Sequence, residues 1–326
     1  MTQYIARRLL LNLVVILIVM TFIFITLRIL PGDFAAQQVS DQFFAGRGGD
    51  PDEALRLARE RLGLHDPIPI QYGKFLRDLF TGDFGTSFRT GDSALTSVRA
   101  ALPYTLQLGL MSVVIALILA FPVGIISALR QDSWLDGGLR LFAVFFLAAP
   151  PFWIATLGSG WSLQYDILEL NVIAHPGIWE DPWGSFQLMI IPALAAGLAF
   201  GAILMRFLRS QLLDVLRQDY VRTARAKGLR SGAVITRHVL RNALIPIVTI
   251  FGISLAALVG GNVILETMFN IPGMGRLLLE ALLIRDVPVA QSMALLLVVG
   301  VVMINLLVDL SYFLIDPRVT VGAASE

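Results

Sequence analysis

The sequence holds few residues whose type and spacing could support catalysis. It has no cysteine, which excludes disulfides, thiolate nucleophiles and cysteine metal ligands. Gly73 and Lys74 are followed by Phe75 and lack the upstream glycine of a phosphate-binding loop. None of the three histidines lies inside a strongly apolar run. We therefore predict no catalytic residue, no metal site and no nucleotide site in this chain.

Ion-coupled carriers and intramembrane proteases are disfavoured for a related reason. Such carriers generally place charged side chains inside the membrane, where these groups are costly and functional. The apolar runs contain no Lys, Arg, Asp or Glu, and their large polar side chains include Gln107, Asn262 and Asn305. The Gly-Ser-Gly at 158–160 is better explained by helix packing than by a nucleophile. An ion-coupled secondary transporter remains the alternative of a different class.

The most distinctive stretch is basic and runs from Arg206 to Asn242. It holds nine Lys or Arg residues against Asp214 and Asp219, in a chain whose net charge is +1. Such an excess is typical of a cytoplasmic loop beside membrane spans, where it also favours anionic membrane lipid. On charge alone that explanation is favoured over the other one, a surface that binds a partner protein.

The first half of this stretch predicts a short amphipathic helix. We expect Asp219 to cap it and Tyr220, Val221 and Ala224 to lie along one side. Gly228 is expected to end the helix, because glycine enters the left-handed region at little cost.

A second helix is predicted after the glycine turn. We expect Ser231 to cap it and Val234, Ile235 and Val239 to form its apolar face. The resulting helix, turn and helix suit insertion into a groove of a partner. In that arrangement Ala224 and Ala226 would allow close approach, and the arginines would pair with carboxylates at the rim.

The rest of the sequence predicts an all-α polytopic membrane protein. Hydrophobic residues make up 56% and charged residues 15% of its 326 residues, and its mean hydropathy is +0.75, far too apolar for a soluble domain. Six apolar runs are long enough to cross a bilayer. They are residues 9–27, 104–129, 141–161, 188–205, 243–265 and 289–308. Pro150 and Pro151 are expected to kink the third.

Loop charges predict that both termini face the cytoplasm. Arg7, Arg8, the turn with Arg130 and Arg140, and the basic stretch belong to one side. The opposing loop at 162–187 holds four acidic residues and no Lys or Arg. The first loop is basic too, but loops beyond about 60 residues cross regardless of charge.

These signals divide the chain into four parts. Residues 1–30 form the first span, and 31–102 form a large extracytoplasmic loop. Residues 103–316 form the membrane core, with the basic cytoplasmic loop at 206–242, and 317–326 form a cytoplasmic tail. Within the first loop we predict a helix at 51–61, closed by Leu62 and Gly63, and a mobile segment at 34–50.

The string DYVRTARAKGL from Asp219, with RHVLRNALIP after it, closely resembles the coupling-loop signature of binding-protein-dependent ABC importer permeases of the dipeptide and oligopeptide (peptide/nickel) class. The signature triplet falls on Arg222, Thr223 and Ala224, and its glycine on Gly228. The glutamate that opens the triplet in the wider superfamily is absent. A salt bridge assigned to that glutamate is therefore not carried over.

Other segments resemble the same class at the same relative places, so the resemblance covers almost the whole chain. In the first loop they are residues 30–33 (LPGD), 62–64 (LGL) with 67–72 (PIPIQY), and 80–87 (FTGDFGTS). Towards the end of the chain they are residues 266–276 (ETMFNIPGMGR), 309–312 (DLSY) and 316–318 (DPR).

This resemblance implies the fold of a type I ABC importer permease and a role as one half of a translocation pathway. It implies a second homologous permease subunit, two ABC ATPase subunits that hold ATP and Mg, and an extracytoplasmic substrate-binding protein. No cofactor is expected in this chain, and nothing favours nucleic acid as a partner. The residues expected to contact the ATPase are Tyr220, Arg222, Thr223, Ala224, Arg225, Ala226, Lys227, Gly228, His238, Arg241 and Asn242.

The substrate is left open by the sequence. Di- or oligopeptides are the expectation from the class, with glutathione, a nickel complex or an oligosaccharide as alternatives. We expect Asn262 and Glu266 to lie near the outer mouth of the pathway. The class also implies the plasma (inner) membrane of a bacterium or an archaeon.

Overall fold

The computed structural model describes residues 2–29, 50–61, 65–87, 89–168 and 175–315. Within these ranges the chain is almost entirely helical, with one isolated antiparallel bridge, between Thr86 and Ser93, and no strand. The helices are α1 (Thr2–Ile29), α2 (Pro51–Arg61), α3 (Ile68–Thr81), α4 (Ala94–Leu129), α5 (Trp134–Ala148), α6 (Pro151–Gln164), α7 (Pro182–Leu216), α8 (Asp219–Ala226), α9 (Ser231–Ala233), the π-helix π1 (Val234–Leu240), α10 (Arg241–Gly261), α11 (Val263–Met268), α12 (Met274–Leu283) and α13 (Val287–Ile315).

Four of these helices are long and apolar enough to cross a membrane. Two bent pairs pass the same test only when each pair is taken together. The described residues therefore contain four candidate spans, or six if each bent pair is one span. The count of six agrees with the six predicted runs. The single helices are Arg7–Ile29, Ala94–Leu129, Pro182–Leu216 and Val287–Ser311, and the pairs are Trp134–Ala148 with Pro151–Gln164 and Ser231–Leu244 with Pro246–Ile253.

The third predicted run, 141–161, is not one continuous helix. α5 ends at Ala148 and α6 begins at Pro151, and the two helices meet at 100°. Pro151 occupies the first turn of α6, where a missing N–H is tolerated. The residue before a proline is pushed out of the helical region, so the Pro150 and Pro151 pair ends α5 rather than only kinking it.

The predicted first loop contains more helix than expected at its end. The second span was predicted from Tyr104, but α4 already begins at Ala94. Ala94, Val98 and Ala101 lie on one buried face of α4. The helix begins at Ala94 because this apolar face packs on a core before the membrane span starts. The predicted helix at 51–61 is confirmed as α2. Its expected end at 62–63 and most of the segment predicted to be mobile, 34–49, lie outside the described residues.

The chain divides into two compact units. The first consists of residues 1–102 and 272–299. Its core joins the start of α4 to α12 and the start of α13 through Val98, Met274 and Met293, all buried. The buried hydroxyl of Ser87 donates to the buried carboxylate of Asp286 in the same unit.

The second unit consists of residues 103–271 and 300–326 and is built around α7. In the most apolar window of α7, 72% of the residues are buried, against 11% for α1 and for α13. Gly197 and Gly201 let α4 approach closely, since a Cβ on Gly197 would stand 2.8 Å from side-chain atoms of Ile115. α7 therefore carries the packing of this unit, and its C-terminal end, from Arg206 to Leu216, forms the first part of the basic stretch.

Candidate functional site

The short helix α8 is docked on the second unit by its apolar side. Val221 and Ala224 are buried in a cluster with residues from both ends of the basic stretch. The other buried members of this cluster are Ala128, Leu208, Leu212, Val234, Val239, Ala243 and Ile247. The helix is eight residues long, too short to be stable alone, so this burial holds it in place.

Gly228 ends α8 in the way that the sequence predicted. Its φ angle is +77°, in the left-handed region. The N–H of Gly228 donates to the carbonyl of Arg225 at 2.9 Å, and the N–H of Leu229 donates to that of Ala224 at 3.4 Å. These two bonds form a Schellman motif, which satisfies the last carbonyls of the helix and turns the chain.

The two predicted caps are each wrong by one residue. Gln218, in extended conformation, precedes α8, and Asp219 is its first helical residue. Arg230 likewise precedes α9, and Ser231 lies inside it. Neither Asp219 nor Ser231 therefore stands at the position from which a side chain caps a helix. Asp219 still stabilises α8, because its negative charge lies in the first turn, at the positive end of the helix dipole.

The second half of the basic stretch is a π-helix over most of its length. Val234 and Val239 of π1 are both fully buried. In an α-helix two residues five apart would point about 140° away from each other. In a π-helix, bonded from i to i+5, they lie on the same side. The π form thus places both valines in the cluster under α8, and Ile235, predicted for the same face, is only half-buried.

The side chain of Asn242 links α8 to π1. Its side-chain Nδ2 donates to the hydroxyl of Tyr220 on α8 at 2.8 Å. The same Nδ2 donates to the backbone carbonyl of His238 in π1 at 3.1 Å. An amide nitrogen has two protons, so one side chain satisfies both acceptors. Of the predicted contact residues, Tyr220, His238 and Asn242 are therefore brought together.

The remaining predicted contact residues divide by exposure. Arg222, Thr223, Arg225, Ala226, Lys227, Gly228 and Arg241 are exposed. Ala224 is buried against this chain's own helices, and its expected close approach to a partner stays a prediction. An alanine there leaves room for α8 to settle on the cluster. The ion pair of Arg222 with Asp219, at 3.5 Å, is fully accessible to water and contributes little to stability.

A buried ion pair beside this surface was missed by the sequence reasoning. Arg209, one of the nine basic residues, donates from Nε and Nη2 to both carboxylate oxygens of Asp136, at 2.9 and 2.7 Å. The Asp136 side chain is 1% exposed and also accepts from the hydroxyl of Ser127. The pair thus ties α4, α5 and α7 together. A local signal existed, because Ser133 and Asp136 have the spacing of a helix-capping pair.

Asn262 and Glu266 are both buried at the break between α10 and α11. Glu266 accepts from the hydroxyl of Thr105 on α4 at 2.7 Å. Asn262 is 3% exposed, and its Nδ2 has no hydrogen-bond partner among the described residues. The two residues lie one helical turn apart, since the N–H of Glu266 donates to the carbonyl of Asn262.

Comparison with known proteins identifies the family. A family model described as the inner membrane component of binding-protein-dependent transport systems matches residues 120–321. A second model, of the N-terminal part of such membrane components, matches residues 1–109. The chain belongs to this family. It is a permease of a binding-protein-dependent transport system and a multi-pass membrane protein.

Curated relatives match over nearly the whole chain. The dipeptide transport system permease protein DppB of Alkalihalophilus pseudofirmus is 38% identical, and the glutathione transport system permease protein GsiC of Pectobacterium atrosepticum is 37% identical. The oligopeptide transport system permease protein AppB of Bacillus subtilis is 36% identical. Each alignment covers 98% of this chain and 99% of the relative. These names confirm the class of permease that the motifs resembled.

A solved structure shares the fold. A chain of the MetNI methionine ABC transporter, in an inward-facing conformation, superposes with a TM-score of 0.53 at 16% identity. The match covers 68% of this chain and 96% of that chain. It confirms the predicted fold, that of a type I ABC importer permease.

Proposed function

We propose that this permease forms half of the pathway of an ATP-driven importer of di- or oligopeptides. The observation that carries the proposal is the surface of residues 219–242, the coupling segment. Its apolar side is buried on the second unit, while a row of basic side chains and a Schellman turn face outward. A rigidly docked element with an exposed charged side suits transfer of force from a separate protein.

ATP and Mg would be held by two ATPase subunits, because the sequence of this chain has no phosphate-binding loop. The exposed Arg222, Arg225 and Lys227 would pair with acidic residues at the rim of a groove on each ATPase. A second, homologous permease would complete the pathway. An extracytoplasmic binding protein would deliver the substrate on the opposite face, in the plasma membrane of a bacterium or an archaeon.

The peptide class of substrate is supported by the relatives. Those compared above are named for dipeptides, oligopeptides and glutathione, and glutathione is itself a tripeptide. Asn262 and Glu266 would lie near the outer mouth of the pathway.

The test is affinity purification of the tagged chain from its native membrane, with mass spectrometry of the proteins that come with it. We expect a second permease, P-loop ATPases and a solute-binding protein. The double variant Arg225→Glu and Lys227→Glu should lose the ATPases and keep the second permease. Arg140→Glu, an exposed charge outside the coupling segment, is the matched control and should keep both.

The substrate is tested on the same complex in proteoliposomes. ATP-dependent uptake of a labelled dipeptide or pentapeptide supports the proposal, and uptake of a nickel complex or an oligosaccharide instead would correct the substrate. Recovery of the chain alone, with uptake that needs no ATP, would contradict the proposal and favour an ion-coupled carrier.

A further inference from the structure

The break between α5 and α6 leaves two backbone carbonyls without their helical donors. In an α-helix the carbonyl of each residue accepts from the N–H four residues ahead. For Phe146 and Leu147 those positions are Pro150 and Pro151, which have no N–H. No other backbone N–H of the described residues donates to either carbonyl. The end of α5 therefore presents two acceptors that the chain's own backbone does not satisfy.

The break lies within the bilayer. α5 has 15 residues and α6 has 14, whereas a span needs about 20, so neither helix crosses alone. The two helices pass as a span only together, and residues 141–161, with the break near their centre, contain no charged side chain. Each helix is about 22 Å long, so a pair bent at 100° crosses a core of about 30 Å with its break near the middle.

The chain itself does not cover this break. The side chains of Leu147, Pro150 and Phe152, on both sides of the break, are exposed. Helix carbonyls point along the helix axis toward its C-terminal end, and α6 departs from the direction of α5 by 100°. The two carbonyls at the end of α5 therefore point past the break rather than toward α6.

Lipid is excluded as the neighbour of these carbonyls. Unsatisfied backbone groups are costly in hydrocarbon, so irregular backbone at this depth occurs only where it is buried in protein or lines a water-filled cavity. Burial on a second permease would require that chain to supply two donors, but the N–H groups of its spans would be bonded within their own helices. The translocation pathway offers water and, during transport, the N–H groups of a peptide.

We propose that the carbonyls of Phe146 and Leu147 bind the backbone N–H groups of a peptide as it moves through the pathway. At the C-terminal end of α5 the helix dipole adds partial negative charge, which strengthens both acceptors. Every peptide bond except one before proline carries an N–H, so the site binds the peptide backbone whatever its side chains. The exposed rings of Phe145 and Phe152 offer those side chains an apolar surface. This inference rests on the proposed function, since it needs the chain to form half of a peptide pathway.

Cysteine labelling tests where the break faces. The sequence has no cysteine, so Ala148→Cys places a single thiol beside the two carbonyls, at an exposed position. Ile18→Cys, exposed and in the middle of the span Arg7–Ile29, is the control. In the membrane complex of permeases and ATPases, a charged thiol reagent that reacts only from water should label position 148 and spare position 18. Trialanine should slow the labelling of position 148.

A second measurement tests the carbonyls themselves. Its readout is the trialanine concentration that halves the labelling of Ala148→Cys without the binding protein, so that only the membrane complex selects the peptide. Methylation of both peptide nitrogens removes the backbone donors of trialanine, and it should raise this concentration about fivefold or more.

Pro151→Ala, added to Ala148→Cys, gives the carbonyl of Leu147 a helical donor. It should raise the halving concentration of trialanine about fivefold. Methylation of the peptide should then have a smaller effect, because both changes remove the same hydrogen bond. Pro122→Ala is the matched control, since this proline lies inside the unbroken helix α4, and it should leave the concentration unchanged.

The outcomes separate this site from the proposed function. If the unaltered complex shows no ATP-dependent uptake of peptides, the proposed function fails. If the complex transports peptides but position 148 is not labelled, or is labelled without protection by trialanine, the break does not face the pathway and the site is wrong. Equal protection by trialanine and its methylated form would also overturn it, even if Pro151→Ala failed to assemble.

Discussion

Arg209 and Arg225 belong to the same basic stretch, yet their surroundings are opposite. Arg209 lies within α7, half-buried, with both carboxylate oxygens of Asp136 bonded to it. Arg225 lies on the outer side of α8 and is exposed. A buried charge must be paired, because desolvation is costly, whereas an exposed charge keeps its water until a partner replaces it. One arginine therefore stabilises the permease itself, and the other is available for recognition.

The comparison extends to the rest of the stretch. The other eight basic residues between Arg206 and Arg241 are all exposed. The density of charge in the sequence does not distinguish Arg209 from these eight residues. What distinguishes it is the position of α5, which carries Asp136 to the side of α7. The basic stretch thus combines one internal ion pair with eight exposed charges, which we propose as the surface for the ATPase.

The largest effect is expected from Asp136→Ala, which leaves the guanidinium of Arg209 without its partner. Removing one member of a buried pair should lower the free energy of unfolding by about 3–5 kcal/mol. Denaturant titration in mixed micelles measures this free energy. The double variant Asp136→Leu and Arg209→Met should recover most of the loss, because it removes both charges and keeps apolar volume.

Asp214→Ala is the matched control for this variant, since Asp214 is an exposed acid in α7, the helix that also carries Arg209. It should change the free energy of unfolding by no more than about 0.5 kcal/mol. An equal loss in the Asp214 and Asp136 variants would remove the distinction between paired and exposed charges.

A smaller effect is expected from Gly228→Ala. The space around this glycine is open, with nothing within 4 Å of an added Cβ, so the cost is purely conformational. An alanine at a φ of +77° should destabilise the turn by about 1 kcal/mol. Gly232→Ala is the control in the same segment, also in open space but without a positive φ.

Gly232 lies inside α9, where alanine should be neutral or stabilising by up to about 1 kcal/mol. Hydrogen exchange of residues 219–242 in the two variants measures the difference. Faster exchange in Gly232→Ala than in Gly228→Ala would show that the turn does not depend on the left-handed glycine.

The smallest effect on stability is expected from Arg225→Ala combined with Lys227→Ala. Both side chains are exposed, so the free energy of unfolding should stay within about 0.5 kcal/mol of the unaltered protein. Retention of the ATPase subunits on purification should nevertheless weaken, and more so as the salt concentration rises. Destabilisation as large as that of Asp136→Ala would show that these charges are structural as well.

Local features of the sequence predicted the coupling segment well. The helix, glycine turn and helix follow from the apolar spacing of residues 221–239 and from Gly228, and the structure confirms all three. The caps were misplaced by one residue, since cap assignment depends on backbone angles that neighbouring packing adjusts. The burial of Ala224 and the π form of residues 234–240 were not predicted, because both depend on the cluster beneath α8.

The sequence by itself determined the class of protein, the six apolar runs, the position of the coupling segment and the family that its motifs resemble. These properties are local, because bilayer thickness, helix periodicity and glycine conformation each act over a few to about 20 residues. The tertiary structure alone decided that Arg209 pairs with Asp136, 73 residues away, and that Asn242 meets Tyr220. Such contacts depend on which helix faces pack together, and one helix's pattern does not specify its neighbour.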